Sequence, residues 1–446
     1  MNDMDTNSAV QTTIFARRVQ LMGTEAAFGF GSRILDVEKA DGERVIRANL
    51  GQPDFPLPGH IADAVIQAIR DGQTTYCDPQ GLPELREALA RKIAADRGLE
   101  EIDPERVVVY PGARPSIGFA QQSYCEQGDE IIYPTPGYPL YESYIPYVGA
   151  KPVPIHLRED HGFSLTTDEL EPLLSDHTKL IYLNFPSNPT GGVASPEQIH
   201  QLAELILEKT PPNVRVYSDA AYEAIVFDGE DHFSIASVPG MRDRTIIASA
   251  VSKTYSWTGG RVGWAVYPTV EEAKVHRNLN INYVASIPPY NQIGTRVALE
   301  SPESEVAIRE MNDAFQRRRD QVVAGLNAIN GVHCQMPKGA FYVFPNIEGV
   351  VDRLDAQAAY EALPEPVRRN SSPATLFQLF LLYRYHVATM DRRSFGTLDS
   401  EGQHFLRLSI ATAAKDLATA VERIAVASTD VEGFRAFMAS GVRMEL

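Results

Sequence analysis

The segments KLIYLNFPSNPTG (179–191), VRVYSDAAY (214–222) and TIIASAVSK (245–253) decide the fold. Each opens on a short apolar run and leads into polar, reactive residues: Asn188, Asp219 and Lys253. Such a run, lacking polar/apolar alternation, is how a strand reads when both faces of its sheet are covered. VVVYPG (107–112), EIIYPTPGY (130–138) and RVGWAVYP (261–268) read the same way. Helical spacing spans 60–71, 83–97 and 196–209, with Pro83 and Pro196 suited to a first helical turn and Ser195 to an N-cap. The alternation predicts an α/β domain with a largely parallel sheet, which takes ligands at the carboxyl ends of its strands.

After residue 295 the pattern changes. A long charged helix is expected over 302–330, then a strand pair around AFYVFP (340–345) and FLRLSIA (405–411), then a helix from Lys415. This predicts a smaller α+β domain that the N-terminal segment joins, because LGQPDFPLP (50–58) is too proline-rich for a core strand. The expected division is an N-terminal segment 1–55, a large domain 56–300 and a small domain 301–446. Segment 346–404 is the least regular, and no internal repeat is visible.

Composition bounds the function. The chain has 446 residues, with 41 basic against 58 acidic side chains and a formal charge of -17. No run of Lys and Arg offers the basic face of a nucleic-acid binder, so no nucleic acid is expected as partner. Cys77, Cys125 and Cys334 are far apart and form no CxxC, and no histidine pair forms HExxH. A disulfide framework and a metal site are therefore not expected. The opening MNDMDTNSAVQTT has no apolar signal core, and the longest apolar stretch, LFQLFLLY (376–383), is too short to span a bilayer. The expectation is a cytoplasmic protein with no membrane partner.

Taken singly, Asn188, Asp219 and Lys253 read as turn, cap and surface residues. Together at strand ends they specify more. SKTYSWTGGRVGWA (252–265), YSDAAYEAI (217–225) and NFPSNPTGG (184–192) resemble the three signature blocks of class I/II aminotransferases. Supporting blocks follow the family's order: LGQPDF (50–55), TTYCDPQGLPELREAL (74–89), PGAR (111–114), PTPGYPLY (134–141) and FLRLS (405–409). The resemblance covers nearly the whole chain from about residue 45 and is nearest to the bacterial aspartate-aminotransferase-like subgroup. It implies the fold-type-I architecture, a mostly parallel seven-stranded-type sheet plus a smaller α+β domain, with pyridoxal 5′-phosphate as cofactor.

The resemblance also implies roles. Lys253 matches the Schiff-base lysine, a nucleophile and proton shuttle once deprotonated. Asp219 matches the carboxylate facing the cofactor's ring nitrogen. Tyr222 and Asn188 match the donors to its 3′-oxygen, and Tyr138 the aromatic stacked on its ring. Arg261 matches the phosphate arginine, whose planar fork suits a bidentate grip. Ser252 and the helix start at Gly112, Ala113 and Arg114 add anion donors. Tyr76 resembles the tyrosine that reaches the neighbouring subunit's phosphate, which implies a homodimer with shared sites. Arg407 matches the arginine for the substrate α-carboxylate, and Gly51 lies in the segment that closes over it.

Three departures bear on specificity. Ala250 stands where a phosphate-binding Ser or Thr is usual, with Ser249 displaced by one, and TGGR replaces the usual TGWR at Gly260. The stretch 383–404 is longer and more basic than the family's link. The expected reaction is ping-pong transfer of an amino group from an L-amino acid to a 2-oxo acid, with aspartate- or aromatic-type substrates. Arg114 is a candidate for an acidic substrate's distal carboxylate, as are Arg392 and Arg393, otherwise a solvated loop. Tyr283, Tyr290 and Trp257 are candidates for an aromatic pocket. A β-lyase or cyclopropane-amino-acid synthase on the same fold is the alternative. A non-enzymatic regulator comes last, because the roughly 45 residues before the resemblance are too few and too acidic for a DNA-binding module.

Overall fold

The computed structural model describes residues 14–23 and 26–444. In chain order the strands are β1 (Ile46–Arg47), β2 (Val107–Tyr110), β3 (Glu130–Thr135), β4 (Lys151–His156), β5 (Thr178–Asn184) and β6 (Arg215–Asp219). β7 (Thr245–Ala250), β8 (Gly263–Val266), β9 (Tyr342–Val343), β10 (Val387–Ala388), β11 (Met390–Asp391) and β12 (Leu406–Ser409) follow. Seven of them form one sheet in the order β2-β8-β7-β6-β5-β3-β4. All neighbours are parallel except β8, which runs antiparallel to β2 and β7.

The unbroken apolar runs have the expected cause. Along β5, Leu180 and Tyr182 join one buried cluster while Ile181 and Leu183 join another, and Tyr217 and Val216 of β6 divide the same way. Successive side chains of a strand point to opposite faces, so both faces are packed. Complete burial of each such side chain is worth about 1.5–3 kcal/mol.

β4 was not among the expected strands. Its sequence, KPVPIH, carries Pro152 and Pro154, which give no N–H to a ladder. It is tolerated because β4 lies at the sheet edge, paired only with β3.

Helix boundaries follow the sequence closely. Pro196–Lys209 starts at the expected cap: Ser195 Oγ accepts from Gln198 N at 3.2 Å, and Gln198 Oε1 accepts from Ser195 N at 2.9 Å. The long charged helix is Pro302–Asn327, ending three residues early. Beyond it, β9, β12 and β11 form a three-stranded antiparallel sheet, and β1 pairs in parallel with β10.

The irregular segment resolves into structure. Helices Glu348–Leu354, Ala356–Glu361, Glu365–Arg368 and Pro373–Tyr385 precede β10 and β11. The last holds LFQLFLLY as a core helix, buried from Pro373 through Leu382 and packed on helices Ala414–Ala427 and Val431–Met438. No helix among the described residues is long and apolar enough to cross a membrane.

Candidate active site

The parallel strands β5 and β6 end level, with Asn184 opposite Asp219, while β7 runs past Ala248, which faces Asp219, to Ala250. Asp219 is the last residue of β6. Lys253 does not end β7 as expected; the strand stops at Ala250 and Lys253 lies in the one-turn helix Val251–Thr254. Asn184 anchors the loop after β5: its Oδ1 accepts from Asn188 N at 3.1 Å while its Nδ2 donates to Asp219 O at 3.3 Å.

Asp219 is buried. Tyr141 Oη donates to its Oδ2 at 2.7 Å and Ala221 N to its Oδ1 at 3.1 Å. Tyr141 stacks in turn on Tyr182, ring centroids 4.6 Å apart. Burial raises the Asp219 carboxyl above its ordinary range against the lowering effect of these two donors. No ion pair among the described residues involves it. Lys253 Nζ donates to Gly51 O and lies 6.0 Å from the Tyr222 ring centroid. The Tyr222 and Tyr342 hydroxyls are hydrogen-bonded at 2.7 Å.

A cationic corner, with Arg114 and Arg261, lies at the start of helix Arg114–Tyr124. Arg261, at φ 51°, donates to Thr258 O at 3.1 Å and Pro111 O at 3.0 Å. Its guanidinium rests on Gly112, where a Cβ would come within 2.3 Å of Nη2. Burial and the neighbouring Arg114 charge both lower the Arg261 pKa. Two like charges held together are eased by a bound anion. The Arg114 guanidinium lies 5.6 Å from the Tyr138 ring centroid.

Arg407 occupies β12, 4% exposed. Its guanidinium is sandwiched between the rings of Tyr342 and Phe395, at 4.5 and 4.6 Å from their centroids. Nη1 donates to Asn188 Oδ1 at 3.0 Å and Nη2 to Asn49 O, while Nε is sealed from solvent with no acceptor.

Eleven of the thirteen residues expected at the site, Gly51, Ala113, Arg114, Tyr138, Asn188, Asp219, Tyr222, Ser252, Lys253, Arg261 and Arg407, line one cavity of about 490 Å³. Gly112 lies outside that lining, beneath Arg261. Tyr76 lies outside the cavity, 88% exposed. Tyr342, whose strand was expected but not its place at the site, closes the wall between Tyr222 and Arg407. An aromatic directly across the ladder from the arginine strand was the available signal.

Other expectations are corrected. Tyr283, Tyr290 and Trp257 do not line the cavity. Trp257 instead fills the room left at Gly260, where a Cβ would meet its indole at 2.3 Å. Arg392 is not in a solvated loop: it is fully buried and donates to Gln403 Oε1, Gly396 O and Thr135 Oγ1 at 2.9, 2.9 and 3.0 Å. Burial brings its pKa down to about 10. The half-buried Arg393 donates to Arg369 O. Neither lines the cavity.

Residues 43–424 match the family model for aminotransferase class I and II. The aspartate aminotransferase of Rhizobium meliloti (strain 1021) is 34% identical over 95% of this chain and 99% of that protein. A probable aspartate/prephenate aminotransferase of Aquifex aeolicus is 33% identical over 88% of this chain and 93% of its own length. A crystal structure of a Rhizobium meliloti aspartate aminotransferase superposes with a TM-score of 0.82 and 33% identity, covering 93% of this chain and 99% of the other. With a seven-stranded, mostly parallel sheet and a cluster of acid, base and cationic groups at its strand ends, the chain belongs to the class I and II aminotransferases and is an enzyme of amino-group transfer.

Proposed function

We propose that this chain uses pyridoxal 5′-phosphate to move an amino group from an acidic L-amino acid to a 2-oxo acid in two half-reactions. The observation that carries it is the sharing of one cavity by a buried carboxylate, a lysine and an arginine-lined anion corner. The donor set fits that cofactor. Asp219, buried without an ion pair, suits a protonated ring nitrogen, and Arg261, Ser252 and the helix start at Ala113 suit a phosphate. Lys253 lines the same space as the amine that would hold the aldehyde. When bound, the cofactor supplies an electron sink for the bond broken at the substrate's α-carbon.

The chain's own residues do the rest. Asp219 holds a proton at the ring nitrogen and so keeps the ring electron-poor. Tyr222 and Asn188 would donate to the ring oxygen, and Tyr138 would pack against the ring. Lys253 Nζ, on the wall of the same cavity, would take up and give back the proton of the substrate α-carbon. A positioned acid/base of this kind contributes about 10²–10⁴-fold. Arg407 orients the substrate by its α-carboxylate, its ring sandwich and two fixed hydrogen bonds lowering the cost of doing so. The segment at Gly51 closes over the site and excludes water.

The acidic substrate rests on Arg114, a cation on the cavity wall beyond those at Arg261 and Arg407. A homodimer is part of the proposal, supported by the exposure of Tyr76 in a chain whose own cavity it does not reach. So are a division near residues 55 and 300 and a cytoplasmic location, for which three unpaired cysteines speak. A half-reaction screen across the amino acids tests the activity. Conversion of aspartate or glutamate to its 2-oxo acid, one per site and without ammonia, supports it; ammonia release favours a lyase and overturns it.

A further inference from the structure

Among the groups lining the active-site cavity, the Tyr342 hydroxyl stands apart from the donors to cofactor and substrate. The side chain is buried, and its ring has an evident task. It packs against the Arg407 guanidinium, 4.5 Å from the ring centroid, and meets the Tyr222 and Phe341 rings at 5.6 and 4.9 Å. A phenylalanine would do all of that. The hydroxyl is a separate cost, since burying a polar group is unfavourable unless it is hydrogen-bonded. Room for it depends on Gly51, where a Cβ would come within 2.0 Å of Tyr342 Oη.

The partner is Tyr222, whose Oη lies 2.7 Å away. Burial, with Tyr342 beside it, raises the Tyr222 pKa well above the usual phenol value, so Tyr222 keeps its proton at neutral pH. A phenol has one proton to give and lone pairs to accept with. When the Tyr222 proton goes to the cofactor's ring oxygen, the contact between the two hydroxyls must be carried by the proton of Tyr342. That fixes the direction: Tyr342 donates to Tyr222, and Tyr222 donates onward. Accepting a hydrogen bond polarises a hydroxyl and strengthens its own donation by about 10–30%.

We propose, on the reading that the cavity holds pyridoxal 5′-phosphate, that Tyr342 is a positioning residue: its hydroxyl donates to Tyr222, aiming and strengthening Tyr222 as the donor to the ring oxygen.

A donor to that oxygen favours its ionised form and lowers the pH at which the proton it shares with the lysine nitrogen is lost. The test is a pH titration of the visible band of the full-length protein loaded with pyridoxal 5′-phosphate, with no amino acid present. Tyr342→Phe keeps the ring and removes only the hydroxyl. Its midpoint should lie about 0.4–1 pH unit above that of the unsubstituted protein, the equivalent of one ordinary hydrogen bond. Tyr222→Phe should raise the midpoint further, and adding Tyr342→Phe to it should change nothing more, because the relay has lost its middle. A role confined to packing on Arg407 would move KM and leave the midpoint in place. Gly51→Ala crowds the same hydroxyl without altering Tyr342, and should raise the midpoint too. An unchanged midpoint in Tyr342→Phe overturns the proposal, as does a rise of equal size when residue 222 is already phenylalanine. Loaded protein with no titrating band at all refutes the cofactor reading itself, and the proposal with it.

Discussion

Replacing Arg407 by lysine keeps a positive charge on β12 and removes the planar fork. A guanidinium has five N–H groups; here one goes to Asn188 Oδ1 at 3.0 Å and one to Asn49 O. Nη1 and Nη2 each carry a second N–H, and Arg407 lines the cavity, so the side chain keeps donors for a substrate carboxylate. The guanidinium lies over two rings whose centroids are 4.5 and 4.6 Å away. An ammonium makes one directed contact there at best, losing at least one charge-assisted hydrogen bond of about 1.5–3 kcal/mol. That is a fall of about 10- to 150-fold in kcat/KM. Every amino acid carries the α-carboxylate, so the loss should be similar for acidic, aromatic and aliphatic donors and should appear chiefly in KM. Initial rates with one donor of each type measure it. A loss under about twofold, or one confined to a single donor, refutes the assignment of Arg407 to the α-carboxylate.

Arg114→Ala should cost acidic donors about 1.5–3 kcal/mol more than neutral ones, read as the ratio of kcat/KM values; equal losses would return Arg114 to the anion corner. At Gly51 a Cβ would come within 2.0 Å of Tyr342 Oη, so Gly51→Ala should displace that hydroxyl from Tyr222 and lower kcat by up to about 10-fold. Unchanged kcat would show the wall to be pliant. His276 is buried with its pKa lowered by burial to about 4, from 6.5. Between those values the unfolded chain binds a proton that the folded chain does not, so stability falls as pH drops through this window, by about 3 kcal/mol. Urea unfolding from pH 8 to pH 4 should show this slope, reduced in His276→Gln; an unchanged slope in the variant rejects it.

Much of this was legible in the sequence, for identifiable reasons. The central strands could be read because burial on both faces leaves unbroken apolar runs, as in Val107–Tyr110. The strand-end residues Asn188 and Asp219 could be placed because chain direction in a parallel sheet puts its carboxyl ends together. β4 escaped because an edge position forgives prolines that a central strand would not. Arg392 escaped for a different reason: its burial depends on Thr135, 257 positions away, and on Gly396 and Gln403, and no local pattern announces such a convergence. The same holds for Tyr342, whose place at the site comes from pairing β9 with the arginine strand. Tyr76 matched a motif, yet a single chain leaves it at the surface.

The central claim is that Lys253, in the cavity that also holds Asp219, carries the cofactor. Borohydride reduction of the protein incubated with pyridoxal 5′-phosphate, followed by peptide mass mapping, tests it most directly. Modification at Lys253, with loss of the visible absorbance band and no such product in Lys253→Ala, is the predicted result. A reduced adduct on another lysine, or no adduct from a folded protein, would contradict it.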